Sequence, residues 1–274
     1  GLSALWMVMI MVVDLRFYAE RYVSAVYPEA GKLAFYLAMA VLQLWIVRES
    51  LDCLLRTGKI LFWVVILTLA AVLLLAVEKM QIYNLWPVTD TSWREAGLGS
   101  LRLSTTLSMA VPAGFLLGTV EWKTRKNGAV WWVAALTGAA MMIAVSVLGV
   151  FGPELSQRLQ VPFFTLAKEV SVTGAMERLE SIISAMWMMT DTALMGVLAF
   201  SAEQALRQAA GAAKRPEWVR MSLILLLVAV CCALPKSTFD MDAGYQAIGM
   251  PINVLMGYFI PGTALVVAKV RKRW

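Results

Sequence analysis

The stretch MERLESIISAMWMMTDTALMG, from Met176 to Gly196, puts three charges in its first five residues, then runs apolar for ten, then places Asp191 where hydrocarbon should be. At about 100° per helical residue, Glu177, Glu180, Ser184, Trp187 and Asp191 share roughly one quarter of the circumference and form one polar seam. A charge at the bilayer centre costs about 2.5–3.5 kcal/mol even on the lenient insertion scale, so such a seam must face protein or water. Two chemistries are open to Asp191. It can hydrogen-bond between helices as packing glue, or it can belong to a ligand or ion pathway together with Ser184 and Glu180.

A second feature is STTLSMAVPAGFLLGTVEWKTRKN, from Ser104 to Asn127. Pro112 deletes a backbone donor and Gly114 loosens the chain, with Ser104, Thr105, Thr106 and Ser108 upstream and Gly118 downstream. A break at membrane depth frees amide and carbonyl groups that lipid cannot satisfy, so it persists where it lines a cavity or holds a ligand. On that reading Ala110, Val111, Pro112, Ala113, Gly114 and Gly118 line a binding site. The plainer alternative is a proline kink.

The first apolar run carries Asp14, Arg16, Tyr18, Glu20 and Arg21 in its second half, with Arg16 and Glu20 spaced to pair. An interfacial helix end with snorkelling side chains accounts for this; if Asp14 lies deep, it joins a buried charge network. WIVRESLDCLLRTGK, Trp45 to Lys59, puts Arg48, Asp52 and Arg56 four residues apart, the pattern of a solvated, salt-bridged helix end.

Composition determines the kind of framework that holds these residues. The 274 residues are 60% hydrophobic and 15% charged, with a mean hydropathy of +0.72, far more apolar than a soluble domain. A spanning helix needs about 20 apolar residues, and about eight segments approach that. They run from Leu2 to Tyr22, Lys32 to Leu51, Ile60 to Val77, Ser104 to Val120, Ala129 to Val150, Leu179 to Ala202, Met221 to Leu234 and Gly249 to Ala268. None alternates as a spanning strand does. The fold class is all-α: a polytopic membrane helical bundle, read as a single transmembrane domain over residues 1–274.

If the first helix runs outward, more than half of the 24 basic residues fall in short inner connections, around Arg48–Lys59, Lys123–Lys126, Arg207–Arg220 and Lys269–Arg273. The positive-inside rule then puts both ends of the chain in the cytoplasm. The net charge of +6 is thus a topology signal and an attraction to anionic membrane lipid, with no need of nucleic acid. The chain has no histidine and only three cysteines without C-x-x-C spacing, which leaves a zinc site, a histidine triad and a disulfide framework unsupported. No phosphate loop, dinucleotide fingerprint or heme motif is present, so neither an enzyme nor a cofactor is expected.

From Val147 to Asp191, VLGVFGPELSQRLQVPFFTLAKEVSVTGAMERLESIISAMWMMTD resembles the signature region of the spore germination permeases, the membrane-embedded B subunits of nutrient germinant receptors. Gly149, Gly152, Pro162, the triplet Arg178-Leu179-Glu180 and Trp187 carry the likeness, and the inner helix end with Arg48, Glu49 and Arg56 is similar more loosely. The turn expected after the third helix of that family is present only as Tyr27-Pro28-Glu29. The family falls within the amino acid, polyamine and organocation transporter superfamily, with its leucine-transporter-like inverted repeat of ten core helices. The resemblance implies that the eight segments match the third to the tenth, as in a fragment that lacks the first two. The break at Pro112 would then be the unwound sixth helix of the substrate site, and the helix of Asp191 the eighth. It further implies a subunit that binds an amino acid or similar nutrient and acts with A-type and C-type receptor subunits in the spore inner membrane to trigger germination. A cation-coupled amino-acid permease, with Asp191 or Glu180 as the coupling carboxylate, is the alternative.

Overall fold

A computed structural model of the chain describes residues 2–25, 29, 31–86, 92–119, 128–159, 161–170, 179–210, 217–233 and 243–271. Tyr27, Pro28, Glu177, Arg178 and half of the basic residues of the inner connections lie outside the described residues. Among the described residues there is no strand.

The helices are α1 (Leu2–Ala25), α2 (Lys32–Ile46), α3 (Leu51–Lys79), α4 (Trp93–Leu107), α5 (Gly128–Ser156), α6 (Pro162–Val170), α7 (Leu179–Ala210) and α8 (Glu217–Ala233), then α9 (Tyr245–Val270). Five of them, α1, α3, α5, α7 and α9, are long and apolar enough to cross a membrane, whereas α2 and α8 are apolar but shorter. The chain is an all-α integral membrane protein. The exposed side chains of α3 and α5, among them Ile60, Phe62, Trp63, Trp131 and Met141, are the apolar kind that lipid covers.

Three departures from the sequence reading have local causes. First, α2 stops at Ile46 and α3 starts at Leu51, because Ser50 caps the new helix by accepting the Cys53 N–H at 3.3 Å. Arg48 therefore lies in the turn between them, off the helix of Asp52, and the expected i, i+4 pairing of these two does not apply. Second, α4 begins at Trp93, upstream of the apolar run, as a mainly exposed helix. Third, the chain beyond Leu107 is no kinked α-helix. Ser108–Thr119 is a 3-10 helix of 12 residues with Pro112 inside it, long for a form that rarely exceeds three or four residues.

The chain packs as two compact units: Gly1–Leu55, Trp93–Glu121 and Asp191–Trp274 form one, Arg56–Ser92 and Trp122–Thr190 the other. In the first unit, Met7, Ile10, Leu15 and Tyr18 of α1, Met39 of α2 and Ile224 and Leu227 of α8 are fully buried. Tyr22 stacks between Tyr18 and Phe35, at ring distances of 4.8 and 5.7 Å, and Lys32 pairs with Glu20 to close the α1–α2 corner. Leu54, Leu116 and Phe200 form a smaller apolar cluster that anchors the 3-10 segment.

The second unit contains Gly149 and Gly152 of the signature region. Gly152 has φ 72 and ψ 168 inside the run of α5, a region open essentially to glycine alone. With Pro153 behind it, it bends the chain, and Ser156 Oγ donates back to the Gly152 carbonyl at 2.6 Å. The Gly149 carbonyl accepts from Asn84 Nδ2 and from the Gln81 N–H, both at 2.9 Å, which fixes a short 3-10 turn (Ile82–Leu85) to α5. On the other face of Gly149 there is room only for Met80.

Candidate functional site

A charged cluster in the first unit is assembled by α1 and α7. Asp14 and Arg21 are seven residues apart on α1, two turns along one face. Arg21 Nη2 donates to Asp191 Oδ2 of α7 at 2.6 Å, with the two side chains 24% and 12% exposed. Asp14 feels the charges of both Arg21 and Asp191. The residue is partly covered, but its Oδ2 is fully buried and has no hydrogen-bond donor among the described residues. Two carboxylates thus share the field of one guanidinium.

The next residue on α7 extends the seam toward α2. Gln43 is fully buried, and its Nε2 donates to the Thr192 carbonyl at 2.7 Å, leaving its Oε1 without a donor among the described residues. Arg16 is also buried rather than snorkelling, and it donates to the Cys231 carbonyl of α8 at 3.1 Å. Higher on α1, Trp6 Nε1 donates to Asn253 Oδ1 of α9 at 2.8 Å, and Asn253 Nδ2 reaches Tyr245 Oη at 3.2 Å. In lipid, where apolar packing offers little preference for one neighbour over another, such links specify which helices meet.

The structure brings Asp14 and Asp191 into one cluster. The backbone of Glu180 lies in α7, but its side chain is outside the described residues. Ser184 is buried on α7 in the second unit. In that unit too, Trp187 packs on Phe163 and Phe164 of α6, at ring distances of 6.3 and 5.5 Å. The aromatic patch after Pro162 and the tryptophan of the signature are therefore contact partners.

In the 3-10 segment, Pro112 is buried, Val111 and Ala113 are half-buried, Ala110 and Gly114 are exposed, and Gly118 lies in its last turn. A groove of about 500 Å³ opens beside the start of that segment. Leu98, Leu101 and Thr105 of α4 form one wall and Gln246, Met250 and Leu255 of α9 belong to the other. Its volume falls in the range of small-molecule sites, but its walls are mostly apolar.

Sequence reasoning did not assign Asp191 its partner, since a contact across 170 positions leaves no local trace. The available signal was the seven-residue spacing that sets Arg21 on the face of Asp14. Asn253, a lone amide in an apolar run, carried a signal of its own. Nothing in the sequence marked Gln43.

A family model described as spore germination protein matches residues 2–240. No curated protein and no solved structure matches the chain.

Proposed function

The chain belongs to the spore germination protein family, and from that premise we propose that it is the permease-type membrane subunit of a nutrient germinant receptor. In this reading it binds an amino acid or similar small nutrient and passes the signal to A-type and C-type partner subunits in the spore inner membrane. The observation that supports it best is the 3-10 segment Ser108–Thr119. Backbone that departs from the α form at membrane depth carries groups able to meet the ammonium and carboxylate of an amino acid. Ala110, Val111, Pro112, Ala113, Gly114 and Gly118 would contribute those groups, with Ser184 as a further candidate. No bond-making step is part of this function.

The test is deletion of the gene followed by complementation in spores challenged with a mixture of the common amino acids. Loss of the amino-acid response, its recovery on complementation, and no gradient-driven uptake of radiolabelled amino acids by proteoliposomes of the full-length protein are the expected results. Unaltered germination in the deletion strain would overturn the reading.

A second reading, a cation-coupled amino-acid permease, draws on the Asp14–Arg21–Asp191 cluster. Arg21 already neutralises Asp191, so Asp14, with its buried and donorless oxygen, is the better candidate for a coupling carboxylate. Robust gradient-driven uptake, lost in Asp14→Asn, would favour this reading over the first.

A further inference from the structure

The 3-10 segment is met at its first residue by α9, and the contact is unusually close. Gly257 is buried, and a methyl group on its Cα would overlap Ser108 Cβ and come within 3.2 Å of Ser108 Cα and 3.3 Å of its Oγ. Ser108 is itself 1% exposed and its Oγ donates to the Thr105 carbonyl at 2.5 Å, so neither partner has room to withdraw.

The neighbouring residue adds a second hold. Tyr258 Oη donates to the Ser104 carbonyl at 2.6 Å. That carbonyl lies in the last turn of α4, four residues before Ser108, so the tyrosine hydroxyl adds a donor next to the point where the ladder changes from the α to the 3-10 pattern. Residues 257 and 258 both lie in the π-helical turn Leu255–Phe259, and the extra residue of a π turn resets which side chains face a neighbour.

We propose that Gly257 and Tyr258 are positioning residues that fix where α4 gives way to the 3-10 segment, and through it the placement of Pro112 and Gly114. Gly257 acts by absence: without a side chain, α9 closes onto Ser108. Tyr258 acts by bonding the Ser104 carbonyl in the last turn of α4. The expected effect on nutrient response rests on the receptor reading above; the effect on the segment itself does not.

Two measurements on the full-length protein in membranes separate these. In a background with the exposed Cys53 and Cys232 changed to Ser, Gly114→Cys is labelled with a thiol reagent. Overpacking of this kind shifts a local equilibrium by about tenfold, so adding Gly257→Ala should change the labelling rate by about that factor. Adding Ser108→Gly, which removes the Cβ that the new methyl meets, should restore the rate. In spores, Gly257→Ala should move the amino-acid dose response by a comparable factor at an unchanged maximum, again with restoration by Ser108→Gly.

An unchanged labelling rate in Gly257→Ala, or a double variant no closer to the parent, overturns the proposal. If Gly257→Ala protein fails to accumulate, Tyr258→Phe decides instead, since it loses only the hydroxyl. It should shift labelling in the same sense by a smaller factor, and no shift overturns the proposal. Labelling that behaves as expected in a protein whose spores never respond to amino acids would refute the receptor reading and leave the positioning role standing.

Discussion

Replacing Arg21 by Gln keeps most of the side-chain volume and removes the one guanidinium bonded to Asp191 at 2.6 Å. Breaking a fully buried ion pair by deleting one partner costs about 3–5 kcal/mol, because a charge stays behind without compensation. Arg21 is 24% exposed and Asp191 12% exposed, so water recovers part of that and the expected loss is about 2–3 kcal/mol. At about 2–4 °C per kcal/mol for a chain somewhat smaller than this, thermal unfolding of the purified protein in nanodiscs should fall by about 5–10 °C. Tryptophan fluorescence against temperature reads this directly. The diagnostic variant is the double one. If the cost comes from the stranded carboxylate, Asp191→Asn in the Arg21→Gln background should recover at least about 1 kcal/mol. An Arg21→Gln protein as stable as the parent, or a double variant no more stable than the single, would refute the ion pair as a structural tie between α1 and α7.

Two further substitutions probe the frame around the site. Gly152→Ala places a Cβ where φ is 72 and should cost about 1–2 kcal/mol, seen as a lower unfolding temperature, whereas Gly114→Ala, with open space at its Cα, should not. Asn253→Leu strands the Trp6 indole N–H and the Tyr245 hydroxyl and should cost about 1–3 kcal/mol. The same melting measurement reads it, and a Trp6→Phe partner variant should be non-additive with it.

The spanning helices are legible in the sequence because their runs are long and mainly apolar, and Asp191 is legible because a lone charge in such a run stands out. Helix ends are harder to read. Arg48-Glu49-Ser50 looks like helix by charge spacing, yet Ser50 offers a cap four residues after Ile46, and the cap prevails. Residues Trp93–Leu103 are too polar to resemble a membrane helix, so the apolar run alone places the start of α4 too late. The break after Leu107 is visible as Pro112, but its form is not. Proline predicts a kink, whereas the 3-10 geometry is held by Leu116 in its apolar cluster and by Gly257 and Tyr258 from more than a hundred residues away.

Which function the cluster serves turns on what each carboxylate can exchange. The charged residues of the cluster sit on the two spanning helices with the most buried apolar windows, 56% for α1 and 50% for α7, against 17% for α3, α5 and α9. A coupling carboxylate must let go of one cation and take another in every cycle. Asp191 already holds a permanent cation, Arg21, whose guanidinium does not lose its proton in proteins, so releasing it would expose both charges to a poorly hydrated interior. That favours Asp191 as a fastener of α1 to α7. A receptor subunit has to move between two states and has no need to discharge an ion in each event, so a fastened Asp191 suits the sensor better than the transporter. Asp14 supports the opposite reading by the same logic, since its buried oxygen has nothing to give up. The two readings therefore divide between two residues of one cluster rather than between two regions of the protein.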